Sequence, residues 1–412
     1  VKKEEDIMKK FNKFLSVAVA SAMVMAMAGC GNTDNGSAAT GTNAATESAA
    51  ASDSAASGSV FKIGGIGPTT GGAAVYGLAV QHGAEIAVEE INAAGGINGY
   101  QVEFKFQDDE ADAEKSVNAY NALKDWGAQI IDGSTTSGAC IAVTDKTKED
   151  NMFQITPSGS AVECVQYDNN FRVCFSDPNQ GLASAQYIGE NGLAEKIAVI
   201  YDSSDVYSSG IYEKFAKEAE NQPFEIVAAE AFTADNKTDF SVQLQKAKDA
   251  GADMVFLPIY YQESALILTQ AAAMGYAPKW FSCDGMDGIL GGVDNFDVSL
   301  TEGVMLLTPF AADATDDLTQ SFVTKYKEKY GETPNQFAAD SYDAIYVIKA
   351  AIEKSGVTPD MSVSDICDGM KAAMTEITVD GLTGNGMTWT ADGEANKAPK
   401  AVVIENGAYK AM

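Results

Sequence analysis

Residues 60–106, VFKIGGIGPTTGGAAVYGLAVQHGAEIAVEEINAAGGINGYQVEFKF, decide the fold of this chain. The apolar run at 60–66 is typical of a buried strand, and a helical pattern extends over residues 75–94 until Gly95-Gly96 ends it. Residues 102–106 alternate between apolar and polar side chains, which predicts a second strand. A strand, a helix and another strand in this order indicate a βαβ unit with parallel strands.

The same alternation continues in two series, residues 60–156 and 197–307, each about 100–110 residues long. Further strands are predicted at 128–132, 153–156, 197–201, 224–229, 254–257, 279–281 and 304–307, with helices at 113–126, 141–151, 210–221, 240–250, 263–274, 318–330 and 337–354 and short β-like segments at 382–389 and 401–405. We therefore expect an α/β fold with two doubly wound parallel sheets. Such sheets bind ligands where the carboxyl ends of their strands face a cleft.

The composition excludes several classes of function. The chain has 412 residues and a formal net charge of −30, so its surface repels the phosphate backbone of nucleic acids and anionic lipid. The only histidine, His82, falls inside a predicted helix, which rules out a zinc site built on two histidines and disfavours a histidine-assisted nucleophile. We interpret His82 as a structural residue.

Cofactor and metal motifs are weak. The segment GIGPTTG at 65–71 has the wrong spacing for a dinucleotide-binding loop, and Pro68 lacks the N–H that such a loop needs. The acidic run 108–110 could hold a cation, but a solvated loop is the simpler interpretation. The sequence therefore predicts no cofactor, no metal and no enzymatic activity.

The first 59 residues have the pattern of a targeting segment and a linker. A basic stretch at 8–13 precedes about 14 uncharged, mostly apolar residues, too few for the roughly 20 that span a bilayer. The small residues before Cys30 resemble the lipobox of bacterial lipoproteins, which implies a signal peptide at 1–29, with Met8 as its start, and lipidation of Cys30. A plain signal peptide is the alternative. Residues 31–59 contain no residue able to anchor a core and are expected to form a disordered tether.

Two of the remaining five cysteines flank a turn-like segment. Cys164 and Cys174 lie on either side of residues 167–170, YDNN, and could form a disulfide across a hairpin or remain free thiols. The odd number leaves at least one free, buried cysteine.

Polar and aromatic side chains follow several predicted strands. Segments 134–138, STTSG, and 156–160, TPSGS, each place hydroxyls after a strand, and the first also opens a helix, an arrangement suited to a carboxylate. Asp284 follows the strand at 279–281 and could pair with an ammonium group. Aromatic residues near strand ends or loops could line an apolar pocket: Tyr76, Tyr207, Tyr260, Tyr261 and Phe337. The simpler alternatives are a helix cap, a turn and core packing.

Several motifs occur in an order that resembles the leucine/isoleucine/valine-binding proteins of ABC transporters, which have the type I periplasmic-binding-protein fold. The motifs are IGGIGPTTG at 63–71, EEINAAGGING at 89–99, DD at 108–109, FR at 171–172, DPNQG at 177–181, TDFS at 238–241, GETPN at 331–335 and YDA at 342–344. They cover about 350 residues, from residue 60 to the C-terminus.

The resemblance implies roles for eight residues. Ser137, Ser158 and Ser160 match positions that hold an amino-acid carboxylate in that family. Asp284 matches the carboxylate that holds the ammonium group, with Ser160 and Tyr260 beside it. Tyr76, Tyr207 and Phe337 match the side-chain pocket. Some relatives have Glu at the position of Asp284, and many have Thr at the position of Ser160. The resemblance therefore does not identify which ligand side chain the site prefers.

The resemblance also implies an architecture and a function. Lobe 1 is expected at 60–176 with 309–398 and lobe 2 at 177–308 with 399–412, joined by a hinge with three crossovers. The expected function is capture of an amino acid and delivery to an ABC permease by a monomeric lipoprotein at the outer face of the cell membrane. A sensory receptor module, or a binding protein for another small carboxylate or amide, is the alternative.

Overall fold

The computed structural model describes residues 58–412. The predicted signal peptide, Cys30 and nearly all of the predicted tether lie outside the described residues. In residues 58–412, no helix has both the length and the apolar composition required to cross a membrane.

The first sheet is built from strands that are parallel throughout. They are β1 (Phe61–Gly67), β2 (Val102–Asp108), β3 (Ile130–Gly133), β4 (Phe153–Thr156) and β5 (Asn170–Arg172), in the order β2-β1-β3-β4-β5. Every residue of β3 and β4 is buried, as expected for strands with both faces covered. The connecting helices are α1 (Ala74–Ala93), α2 (Ala113–Trp126) and α3 (Ser137–Asp150).

The second sheet is mixed. Its strands are β6 (Lys196–Asp202), β7 (Glu225–Phe232), β8 (Met254–Leu257), β9 (Lys279–Ser282), β10 (Met305–Thr308), β11 (Lys400–Glu405) and β12 (Ala408–Ala411), in the order β12-β11-β10-β9-β8-β6-β7. Strands β6 to β10 are parallel, whereas β11 and β12 are antiparallel to their neighbours. The associated helices are α4 (Asp177–Glu190), α5 (Val206–Ala219), α6 (Ser241–Asp249) and α7 (Tyr261–Ala273).

The chain passes between the two sheets three times. It leaves the first sheet after β5, and after β10 it returns to pack helix α9 (Gln336–Ser355) against α1 and helix α10 (Val363–Met374) against β4. It then enters the second sheet again at β11, which pairs with β10. The predicted α/β class with two doubly wound sheets is therefore confirmed. The limits given above for the two lobes stay predictions.

Several elements differ from the sequence prediction. Helix α4 and helix α10 were not predicted, and α8 (Asp317–Tyr330) matches its prediction within one residue. Helix α5 begins four residues earlier than predicted because the Asp205 carboxylate accepts a bond from Tyr207 N at 2.9 Å and caps the first turn. Polar or glycine-containing first turns hide such helix starts from a periodicity argument.

The possible disulfide between Cys164 and Cys174 is not formed. The segment 167–170 does not close a hairpin, because β5 pairs parallel to β4. Cys164 lies instead in a 3-10 turn, where its thiol contacts the carbonyl of Ser137 at 3.7 Å. All five cysteines in the described part of the chain are free and buried.

The sole histidine and the acidic run have structural partners. The ring of His82 stacks on Tyr330 with centroids 3.6 Å apart, and its Nδ1 lies 3.2 Å from the Tyr326 hydroxyl. Asp108 accepts bonds from the backbone N–H of Thr69 and from the Thr70 hydroxyl. Within residues 58–412, no three His, Cys, Asp or Glu side chains are grouped to hold a metal ion.

One glycine controls the contact between α1 and α9. A Cβ atom at Gly83 would lie 2.0 Å from the carbonyl oxygen of Ala338, a distance that no side chain tolerates. The two helices can therefore pack this closely only because position 83 has no side chain.

We expect Gly83→Ala to lower the free energy of unfolding by at least about 2 kcal/mol, because a backbone carbonyl cannot move aside. The matched control is Gly210→Ala on α5, where the new Cβ would meet Asp177 at an ordinary 3.4 Å. The control should be neutral or stabilising by up to about 1 kcal/mol through helix propensity. Urea unfolding of both variants measures the difference, and equal stabilities would contradict the packing argument.

Candidate functional site

Two hydroxyl-rich turns lie side by side at the edge of the first sheet. The turn 134–136 connects β3 to α3, and the turn 157–160 follows β4, which pairs directly with β3. Because both turns leave the carboxyl ends of neighbouring parallel strands, their side chains face the same space. Ser137, Ser158 and Ser160 are all buried there.

Ser137 has a hydroxyl proton that it can give to a ligand. Its Oγ accepts bonds from the backbone N–H of Ser160 and of Ala161, both at 3.1 Å. With both acceptor positions used, the proton points away from these amides. Thr136, the residue before α3, makes no side-chain cap, so the first N–H groups of the helix are also available to an anion.

The hydroxyl of Ser158, in contrast, donates its proton within the protein. It donates to the carbonyl of Thr135 at 2.6 Å, while Thr156 Oγ1 donates to the carbonyl of Ser134 at 2.7 Å. These two bonds tie the neighbouring turns together. Ser158 therefore uses its only proton to shape the site.

Asp284 comes from the second sheet, in a 3-10 turn that follows β9. Its side chain is buried, and its Oδ1 accepts a bond from the Tyr207 hydroxyl at 2.7 Å. Burial raises the pKa of Asp284 to about 7, although the bonds from Tyr207 and Gln180 act in the opposite direction. In the described part of the chain, no Lys or Arg forms an ion pair with this carboxylate. A cation brought by a ligand would therefore gain a strong partner.

Tyr76 links the two sheets. Its hydroxyl, on the first turn of α1, donates to the carbonyl of Gly285 and accepts a bond from Tyr261 N at 3.2 Å. The hydroxyl of Tyr207 in turn accepts a bond from Gly285 N at 2.9 Å. The turn that carries Asp284 is therefore held from both sides.

Aromatic rings form the wall of the site. The rings of Tyr76 and Phe337 lie 4.4 Å apart, and those of Tyr76 and Tyr260 lie 5.6 Å apart in an edge-to-face arrangement. Tyr207 stacks on Tyr260 at 5.0 Å. Such a wall suits the apolar part of a small ligand.

The structure brings all eight residues named from the sequence around one cavity. Its lining also includes Thr135, Thr136 and Gly285, which were given no role from the sequence. Hydroxyl groups from the first sheet and a carboxylate from the second thus face each other across aromatic rings. The roles of the eight residues stay predictions.

Comparison with known proteins agrees with this architecture. The sequence profile of a family described as periplasmic binding protein matches residues 60–408. The chain belongs to this family. A Leu/Ile/Val-binding protein homologue of Brucella melitensis is 31% identical over 72% of this chain and 80% of its own length. A leucine-, isoleucine-, valine-, threonine- and alanine-binding protein of Pseudomonas aeruginosa is 30% identical over 72% of this chain and 78% of its own length.

A solved structure of a substrate-binding protein has a similar fold. The branched-chain amino acid transporter substrate binding protein of Streptococcus pneumoniae, in complex with isoleucine, is 29% identical. It covers 85% of this chain and 98% of its own, with a TM-score of 0.77. The expected resemblance to branched-chain amino-acid-binding proteins and the expected fold are confirmed, and the chain binds a small molecule, as members of the periplasmic binding protein family do.

Asp177 is a buried acid of this periplasmic binding protein to which the sequence gave no role. It begins α4, directly after the first passage between the sheets, and neither carboxylate oxygen has a hydrogen-bond partner among the described residues. Burial raises the pKa of Asp177 well above its usual range. Sequence showed it only as part of the motif DPNQG, because burial of a polar first turn has no local signature.

We expect Asp284→Asn to stabilise the ligand-free protein at pH 8. Burial raises the Asp284 pKa from 3.8 to about 7. One pKa unit corresponds to about 1.4 kcal/mol, so the buried charge costs up to about 4 kcal/mol at pH 8. The cost disappears below about pH 4, where the carboxyl group is protonated in both the folded and unfolded states. The difference in unfolding free energy between wild type and variant at the two pH values measures this cost. An Asn variant that is less stable at pH 8 would contradict it.

Proposed function

We propose that this protein captures an amino acid between two lobes and delivers it to the permease of an ABC transporter. In this proposal, residues 60–176 with 309–398 form one lobe and 177–308 with 399–412 form the other. The observation that carries the proposal is that Ser137 and Asp284 face the same cavity from different sheets. One offers a proton to an anion, and the other offers a buried negative charge to a cation.

The carboxylate end of the ligand is assigned to the first sheet. Ser137 can donate its hydroxyl proton, and the first N–H groups of α3 add donors at the positive end of the helix dipole. The Ser160 hydroxyl stands beside them. Ser158 supports this arrangement through its bond to Thr135, which fixes the spacing of the two turns.

The ammonium end is assigned to Asp284. Its carboxylate is held by Tyr207, while Gln180 Oε1 accepts a bond from the Asp284 backbone N–H at 3.2 Å. In a buried site, a charge-assisted bond is stronger than in water, and closure of the lobes excludes water from it. The bond from Tyr76 to Gly285 is the kind of contact that would stabilise the closed form.

The branched-chain amino acids are the proposed ligands. The relatives from Brucella and Pseudomonas are named for binding leucine, isoleucine and valine, and the streptococcal structure contains isoleucine. The aromatic wall of Tyr76, Tyr260 and Phe337 supports a ligand with an apolar body. We further propose that the protein has no enzymatic activity, acts as a monomer outside the cytoplasm, and is anchored by a lipid on Cys30 after removal of residues 1–29.

Leucine and two analogues test the two ends of the site separately. The analogues are 4-methylpentanoate, which lacks the ammonium group, and 3-methylbutylamine, which lacks the carboxylate. We expect leucine to bind in isothermal titration calorimetry and each analogue to bind at least about 30-fold more weakly, because a buried charged group then loses its partner. Equal binding of leucine and either analogue would overturn the corresponding assignment.

Asp284→Ala should weaken leucine binding by about 2–5 kcal/mol, because the buried ammonium group loses its partner. The matched variant Ser137→Ala should weaken leucine binding as well but leave the already weak binding of 3-methylbutylamine unchanged, since that analogue has no carboxylate. Calorimetry on both variants measures these effects. Unchanged leucine affinity in Asp284→Ala would remove Asp284 from the site.

The affinity should depend on pH. Burial holds the pKa of Asp284 at about 7 in the ligand-free protein, so below pH 7 this group must lose a proton before it can pair with an ammonium group. The affinity should therefore fall about tenfold for each pH unit below 7 and level off above it. Calorimetry between pH 5 and pH 8, in buffers of different ionisation enthalpy, measures the loss of affinity and the released proton. A flat profile in wild type would contradict the assignment, and Asp284→Asn provides the expected flat control.

A further inference from the structure

The hydroxyl of Thr136 is a polar group of the cavity without a partner. Thr136 is only 7% exposed, and within residues 58–412 its Oγ1 is buried and forms no hydrogen bond. It occupies the N-cap position of α3, where a threonine normally bonds to the N–H groups of the first turn. Here the side chain makes no such bond. The Thr136 side chain therefore lines the cavity without the usual hydrogen bond to the first turn of α3.

The neighbouring hydroxyls of the two turns differ from Thr136 in this respect. Thr135, Thr156 and Ser158 donate to backbone carbonyls, and Ser137 accepts two backbone N–H groups. A buried hydroxyl without a partner destabilises the folded protein. A partner supplied by the ligand would remove this cost.

The position of Thr136 shows which part of a ligand it would meet. Thr136, Tyr207 and Tyr260 line both the cavity described above and a second, larger space. The proposed head-group residues Ser137, Ser160 and Asp284 do not line the second space. Thr136 therefore lies where a ligand side chain would leave the head-group site. The second space beyond it is lined by polar and charged side chains that include Asp205, Lys237 and Glu263.

We propose that Thr136 Oγ1 forms a hydrogen bond with the side chain of the ligand, so that the site favours an amino acid with a hydroxyl side chain over an aliphatic one of the same shape. This inference rests on the proposed function, because it takes the head group to lie between Ser137 and Asp284. Thr136 is then a specificity-determining residue. The ligands of the site would then extend from the branched-chain amino acids to a small hydroxyl amino acid of the same shape, with L-threonine as its representative.

L-Threonine and L-valine test this proposal because they differ by the exchange of a hydroxyl for a methyl group. We expect wild type to bind L-threonine more tightly. In Thr136→Val, the ratio of the valine Kd to the threonine Kd should fall by about threefold to tenfold, the worth of one neutral hydrogen bond. The variant should also have a Tm equal to or above that of wild type without ligand, since it loses an unpaired buried hydroxyl.

Thr135→Val is the matched control. Thr135 lines the same cavity, but its hydroxyl already donates to the carbonyl of Ile66 at 3.3 Å. The ratio of the two Kd values should stay at its wild-type value in this control.

Three outcomes would overturn the inference. An unchanged ratio in Thr136→Val would show that the hydroxyl does not contact the ligand side chain, and an equal loss of both affinities would assign it to the head group. Binding of other amino acids by wild type, but neither threonine nor valine, would overturn this inference and leave the proposed function standing. Failure of wild type to bind any amino acid would instead overturn the proposed function.

Discussion

The charge of Asp284 is the constraint on which the rest of the site depends. A carboxylate that is nearly inaccessible to water favours its protonated form, and the bonds from Tyr207 and Gln180 do not restore the lost hydration. The chain could have placed a lysine or arginine beside it, as it does elsewhere. Because no Lys or Arg among residues 58–412 forms an ion pair with this carboxylate, the proposed function gives it the ammonium group of a ligand as its partner.

A second buried aspartate shows the contrast. Asp340 on α9 is as deeply buried as Asp284, but Lys397 donates to it at 2.7 Å and both side chains are almost fully enclosed. Burial raises the pKa of Asp340 to about 6, and the Lys397 charge acts in the opposite direction. That carboxylate is neutralised within the fold and serves to join residue 397 to α9. The Lys397 charge thus gives Asp340 a structural role, whereas no Lys or Arg among residues 58–412 forms an ion pair with Asp284.

Much of this arrangement could be predicted from the sequence because it follows from strand ends. Ser137, Ser160 and Asp284 each come directly after a strand or its turn, and parallel strands direct such residues to one edge of a sheet. The disulfide hypothesis failed for the opposite reason, since a turn-like sequence cannot tell a hairpin from a parallel connection. Asp177 belongs to the polar first turn of α4, a helix that was not predicted, and the burial of this turn depends on tertiary contacts such as that with Gly210 on α5.

Two residues to which sequence reasoning gave no role, Thr136 and Asp177, share one property, which is that their hydrogen bonding is incomplete within residues 58–412. Thr136 makes no cap and Asp177 has no partner for either oxygen, whereas Ser158, which sequence did single out, is fully engaged in holding the turns together. Whether a hydroxyl has a hydrogen-bond partner depends on its rotamer and its tertiary neighbours. The sequence therefore identifies the polar residues, but it does not show which of them lack a hydrogen-bond partner. A buried hydroxyl on a cavity wall that lacks a hydrogen-bond partner costs stability. The simplest physical explanation for the presence of this hydroxyl is that the ligand of the cavity is its hydrogen-bond partner.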